Sequence, residues 1–170
     1  MFMQILNVLS ITTIISFICF AVLLNVKNTN HSKANRILSL LFLVYAYAQF
    51  HLLLFNTKLI YNYSFLLNLD FIIVTLYSIL FYFYVIQMTG SNNTLNKKTL
   101  LILSLLLVPI AHLIIFRFIY NSPEKVKLYI DAALIKMPLN ATLMNAYLSI
   151  INLIFLILSY IRGCLKTIKY

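Results

Sequence analysis

Residues 32–56 read SKANRILSLLFLVYAYAQFHLLLFN. Lys33 and Arg36 open the stretch, and a mostly apolar run from Ile37 to Phe55 follows them. A hydrocarbon core about 30 Å thick takes about 20 such residues in a helix. The second half of the run nevertheless carries Tyr45, Tyr47, Gln49 and His51. Tyr47 and His51 are i, i+4 neighbours on one helix face, and Tyr45 and Gln49 are neighbours on another. The stretch therefore reads as a membrane helix with its charged start at the headgroups and polar groups turned toward protein or a cavity.

The rest of the chain repeats the pattern. Of 170 residues, 63% are hydrophobic and 9% charged, against about 25% charged in a soluble domain. So few charges exclude an ordinary soluble fold. Four further apolar runs span 2–26, 65–88, 100–118 and 143–161. With 37–55 they predict an all-α polytopic bundle of about five spanning helices in a single membrane domain, 1–170. The first run lacks a positive leader and a small-residue cleavage site, so it reads as a retained helix.

One connector has a pattern of its own. Ser122, Pro123 and Glu124 suit the N-cap, first position and positive dipole end of a helix. Val126, Tyr129, Ile130, Ala133, Leu134 and Met137 follow at helical spacing, and Pro138 stops it. A short amphipathic helix over about 123–137 is expected at the membrane interface.

Charge sets the orientation. The net charge is +10, from 13 Lys/Arg against three acids. The cations sit between apolar runs, where they orient helices, so no nucleic-acid binding by this chain is expected. With five spans, Lys33, Arg36, Lys97, Lys98, Arg162 and Lys166 fall on one side with two further lysines. That makes eight cations on this side and five on the other. The positive-inside rule makes the eight-cation side cytoplasmic, with the N-terminus outside.

Polar residues inside the runs are the candidates for function. Asn145, Ser149, Asn152 and Ser159 recur as one stripe on the last span, a seam for packing within the bundle or for a dimer. Asp70 is the only acid inside an apolar run, and Tyr47, His51 and Asp70 form the candidate ligand pocket. Pro109, ahead of His112, is expected to kink the fourth span. Neither Cys/His spacing for a metal nor a nucleophile–base motif occurs. The expectation is therefore a non-enzyme with no metal or cofactor, whose surroundings are the lipid bilayer.

Two strings carry a resemblance. Lys33-Ala34-Asn35-Arg36-Ile37-Leu38 and the segment from Ser78 to Gly90, with Tyr82, Tyr84 and Val85, resemble motifs in the multi-pass N-terminal region of bacterial membrane-embedded AraC-type transcriptional regulators. Ser78-Ile79 stands where that family has Gly-Pro, and no helix-turn-helix pattern follows. The resemblance implies a truncated or split sensor region in a bacterial inner membrane. It would work as a homo-oligomer or with C-terminal helices and an effector domain missing here. The alternative reading is a small transporter or channel subunit, or a membrane assembly partner.

Overall fold

The computed structural model describes residues 2–26, 32–89, 97–135 and 138–167. Seven α-helices are described: α1 (Phe2–Val26), α2 (Ser32–Asn56), α3 (Leu69–Met88), α4 (Lys97–Ser104), α5 (Leu107–Ile119), α6 (Pro123–Ile135) and α7 (Leu139–Thr167). Two 3₁₀ turns, Leu59–Tyr61 and Ser64–Leu66, link α2 to α3. Five stretches are long and apolar enough to cross a bilayer: Gln4–Val26, Lys33–Asn56, Leu69–Met88, Leu101–Ile119 and Leu139–Arg162. The third starts four residues later than the sequence reading, because Phe65 and Leu66 are taken up by a 3₁₀ turn. The fifth starts earlier, at Leu139.

α2 packs against α1 on one side and α3 on the other, and α3 packs in turn on α7 and α5. Lipid tails are as apolar as leucine, so packing and hydrogen bonds between helices must do what water does for a soluble core. The α1–α2 contact has such a bond. Buried Ser39 donates to the Ala21 carbonyl at 2.9 Å, and the Asn25 amide donates to the Ser39 hydroxyl at 2.6 Å. The outward side of α1 is apolar and exposed, with Val8, Leu9, Ile15 and Leu23 on it, as a lipid-facing surface should be. Between α3 and α7, Ser78 donates to the Asn152 side-chain oxygen.

The fourth span is broken. α4 ends at Ser104 and α5 starts at Leu107, with Leu105 and Leu106 in a turn closed by short-range bonds to Ile102 and Leu103. Pro109 explains the break. It has no amide to donate to the carbonyl four residues back, which is that of Leu105. Tyr147 on α7 fills the gap, its hydroxyl donating to Leu105 O at 2.7 Å.

α6 is capped as the sequence predicts. The Lys125 amide donates to Ser122 Oγ at 3.4 Å, and Val126 N bonds the Ser122 carbonyl. The apolar side of α6 is turned onto protein. Val126, Tyr129 and Ile130 are buried with Leu54, Ile60, Leu67 and Phe116, drawn from the end of α2, the α2–α3 link and α5. α6 therefore covers one end of the bundle. Lys136 and Met137, the end of the expected helix, lie outside the described residues. So do the side chains of Lys97, Lys98 and Lys166.

Candidate functional site

The covered end of the bundle is built by three local features. α2 runs out at Asn56, and Lys58 turns the chain with φ 59°. A left-handed backbone costs a residue with a Cβ roughly 1–2 kcal/mol, so contacts beyond the turn must hold it. Asn68 makes the second turn, at φ 65°, immediately before α3; asparagine tolerates that geometry better than most residues. Asp70 then falls in the first turn of α3, where the positive end of the helix dipole favours an anion. Two clamps fix this link to the rest. The Arg117 guanidinium donates to the carbonyls of Phe65 and Leu67. The Tyr61 hydroxyl donates to Asp131 Oδ1 on α6 at 2.6 Å.

Under α6 lies a cavity of about 210 Å³. α2 contributes His51 and Phe55, the start of α3 contributes Asn68, Asp70 and Phe71, α6 contributes Tyr129, and α7 contributes Asn145. Asp70 lies close enough to His51 and to His112 on α5 to interact with both electrostatically. His51 is 7% exposed and Asn68 is 4% exposed. Yet His51 Nε2 and the Asn68 side-chain nitrogen have no partner at hydrogen-bonding geometry. Both His112 ring nitrogens are also unpartnered, and its ring meets Phe71 edge to face at 5.2 Å. Burial pushes the Tyr129 hydroxyl pKa up; the nearby Asn68 and Asn140 amides partly offset this, while the charge of Asp70 adds to it.

Buried polar atoms in native proteins nearly always have a partner, and each exception calls for an explanation. Several exceptions gathered around one carboxylate and one cavity make a candidate binding site. His51, Phe55 and Asp70 also form a wall of a second, more open space of about 470 Å³ between α2 and α3, lined by Ala48, Leu52, Ile73 and Val74 as well.

The structure brings His51 and Asp70 together in one cavity, and Tyr47 lies within electrostatic reach of Asp70 with its buried hydroxyl unpartnered. The Tyr47 ring stacks on His51 with centroids 6.1 Å apart. Its side chain lines a different, apolar groove of about 300 Å³ with Leu40, Leu43, Val44, Ile73, Leu76 and Leu80. The stripe on α7 also divides. Asn145 lines the cavity, Asn152 bonds Ser78 across to α3, and Ser149 is exposed and bonds its own helix at Asn145 O. Ser159 is buried with an unpartnered hydroxyl beside an apolar groove shared with Phe81 and Val85. Of the topology residues, Lys33 and Arg36 are exposed at the end of the bundle opposite α6. Sequence reasoning missed Asn68, His112 and Tyr129 as neighbours of Asp70. Only Asn68, two residues before an acid at a helix start, gave a local signal.

Among the described residues, no group of three or more His, Cys, Asp or Glu side chains is placed to hold a metal ion. No protein-family model, no curated protein and no solved structure matches the chain.

Proposed function

We propose that this chain is a non-enzymatic membrane sensor module: occupation of the α6-covered cavity biases helix packing, and α7 carries the change to the opposite end. The observation that supports the reading most is the set of buried, unpartnered polar atoms around Asp70 in a covered cavity. α7 suits the relay. It lines the cavity at Asn145, and its 29 residues from Leu139 to Thr167 span roughly 43 Å at 1.5 Å per residue. A ligand moves such an equilibrium only by binding one packing better than the other.

The resemblance to the membrane region of AraC-type regulators supports an output at the basic end of α7. The charge balance supports a cytoplasmic position for that end in a bacterial inner membrane, with α6 outside. A transporter subunit is less favoured. Beyond the cavity, the α3–α7 interior is filled by Ile79, Ile151 and Phe155, packed with Tyr82, Ile102 and Leu106, and Ser78 and Asn152 there bond each other.

The test places spin labels at Val85→Cys and Tyr160→Cys, which share the groove at the far end of α3 and α7, in a Cys19→Ser/Cys164→Ser background. Distances are compared with and without Asp70→Asn in lipid nanodiscs. A sensor gives a shifted or newly divided distance distribution when the cavity charge is removed. Superimposable distributions would overturn the relay.

A further inference from the structure

We propose that the α6-covered cavity takes a small organic ammonium compound that also carries a hydrogen-bond acceptor, such as an amino alcohol or an amino acid; this names the ligand class for the sensor site proposed above.

The charge argument comes first. Among the described residues, Asp70 is the only acid lining the cavity, and no Lys or Arg lines it. The other two acids are both on α6 and exposed, Glu124 in its first turn and Asp131 in its bond to Tyr61. Beside this half-buried carboxylate stand the Asp70 and Phe71 backbone amides and the His51 and His112 imidazoles, and no fixed cation among the described lining residues. An ammonium group supplies the opposite charge and up to three donors. The walls favour the same charge. His51, Phe55, Phe71 and Tyr129 present aromatic rings around the space, and ring faces attract cations even where a carboxylate is absent.

The acceptor follows from the second set of groups. The Asn68 side-chain nitrogen is a donor only. It lies in the same wall as Asp70 and is 4% exposed, and it has no partner at hydrogen-bonding geometry, the Tyr129 hydroxyl being near enough only to feel it. Leaving such a donor buried without a bond is unfavourable, because its desolvation goes uncompensated. A hydroxyl or carboxylate a few carbons from the ammonium would satisfy it. His51 Nε2, 7% exposed and also unpartnered, can serve either role through its tautomer. Size sets the limit. A space of about 210 Å³ holds roughly seven waters at ~30 Å³ each, which excludes peptides, nucleotides and sugars larger than a monosaccharide.

A compound of this class can be free in solution or be a lipid headgroup, since the cavity lies at one end of the spans. The experiment separates the two. The protein is reconstituted in nanodiscs of phosphatidylglycerol alone. Binding of radiolabelled ethanolamine and alanine is measured by equilibrium dialysis, with propylamine and propionate as probes lacking the acceptor or the ammonium.

Expected is saturable binding of ethanolamine or alanine, weakened about tenfold or more by Asp70→Asn. Asn68→Gly, which keeps the left-handed turn and removes the donor, should weaken these two and leave propylamine unchanged, and Glu124→Gln should change nothing. Should free compounds fail to bind, phosphatidylethanolamine is added to the discs. A thermal stabilisation by that lipid which Asp70→Asn removes then assigns the headgroup as the source. The proposal is overturned by propionate binding as well as alanine, by undiminished binding in a folded Asp70→Asn protein, or by no saturable binding and no lipid effect. The sensor reading has its own readout. If no ammonium compound binds but Asp70→Asn still moves the spin-label distances, only the ligand class is wrong. If ammonium compounds bind and the distances never move, the cavity is a binding site without a relay.

Discussion

Tyr147 donates its hydroxyl proton, at 2.7 Å, to the Leu105 carbonyl that Pro109 leaves without an amide. The two halves of the fourth span are thus joined through a side chain of the last helix. Tyr147→Phe should cost about 1–2 kcal/mol of unfolding free energy in detergent, because a part-buried acceptor loses its side-chain donor. Pro109→Ala restores the amide, and the Tyr147→Phe cost should shrink in the double variant. A double-mutant cycle measures that coupling. Strictly additive effects would show that Tyr147 acts by packing alone.

Ser78 and Asn152 form the polar link between α3 and α7. Ser78→Ala should destabilise the bundle by roughly 0.6–2 kcal/mol, in the range for bonds between membrane helices. Ser149→Ala is the control. Its hydroxyl only bonds the carbonyl of its own residue i−4, so its effect should stay within about 0.5 kcal/mol. Equal losses at the two sites would remove the distinction drawn between them.

The Tyr61–Asp131 bond ties the α2–α3 link to α6, and it holds the Tyr61 pKa above its ordinary value, with burial and the Asp131 charge adding to the effect. A raised folded pKa means the contribution is complete below the unfolded tyrosine pKa and is lost as pH rises through the folded value. Tyrosinate absorbance should therefore contain a late-titrating component. Asp131→Asn should bring one tyrosine of that component back toward the ordinary range, and Tyr61→Phe should delete that one, while Tyr129 stays in it. An unchanged titration in both variants would mean that the bond does not persist in the membrane.

Orientation can be read directly by cysteine accessibility in the Cys19→Ser/Cys164→Ser background. Asn62→Cys lies on the exposed link beside α6, and Lys33→Cys lies exposed at the start of α2. A membrane-impermeant maleimide should label the first on intact cells and the second only after lysis. The opposite pattern would invert the charge-based topology.

Most of the fold was legible because membrane helices answer to length and hydropathy. The five spans and the Ser122-Pro123 start of α6 follow from local chemistry that needs no knowledge of neighbours. The break at Leu105–Leu106 was half legible. Pro109 announces a lost bond, but only the packed structure shows Tyr147 supplying the replacement. Helical spacing put Asn145, Ser149, Asn152 and Ser159 on one stripe, yet each has a different environment, because α7 meets the α6 end, α3 and lipid in turn. Tyr47 was grouped with His51 by the i, i+4 rule. That rule gives a shared face and not a shared cavity, and Tyr47 sits one turn further into the apolar interior. His112 and Tyr129 come to Asp70 from distant segments, a relation that no spacing within one helix can reveal.

The cavity has a consequence for how the protein is made. Its walls come from residues 51–71 and 129–145, which leave the ribosome far apart in time. The α1–α2 hairpin, tied by Asn25 and Ser39, can settle in the bilayer while the pocket is still only one-sided. During that interval Asp70 and His51 face whatever the insertion machinery offers. The site comes into being only when α6 and α7 arrive, so a ligand that fits it would also act as a chaperone for the last step of biogenesis.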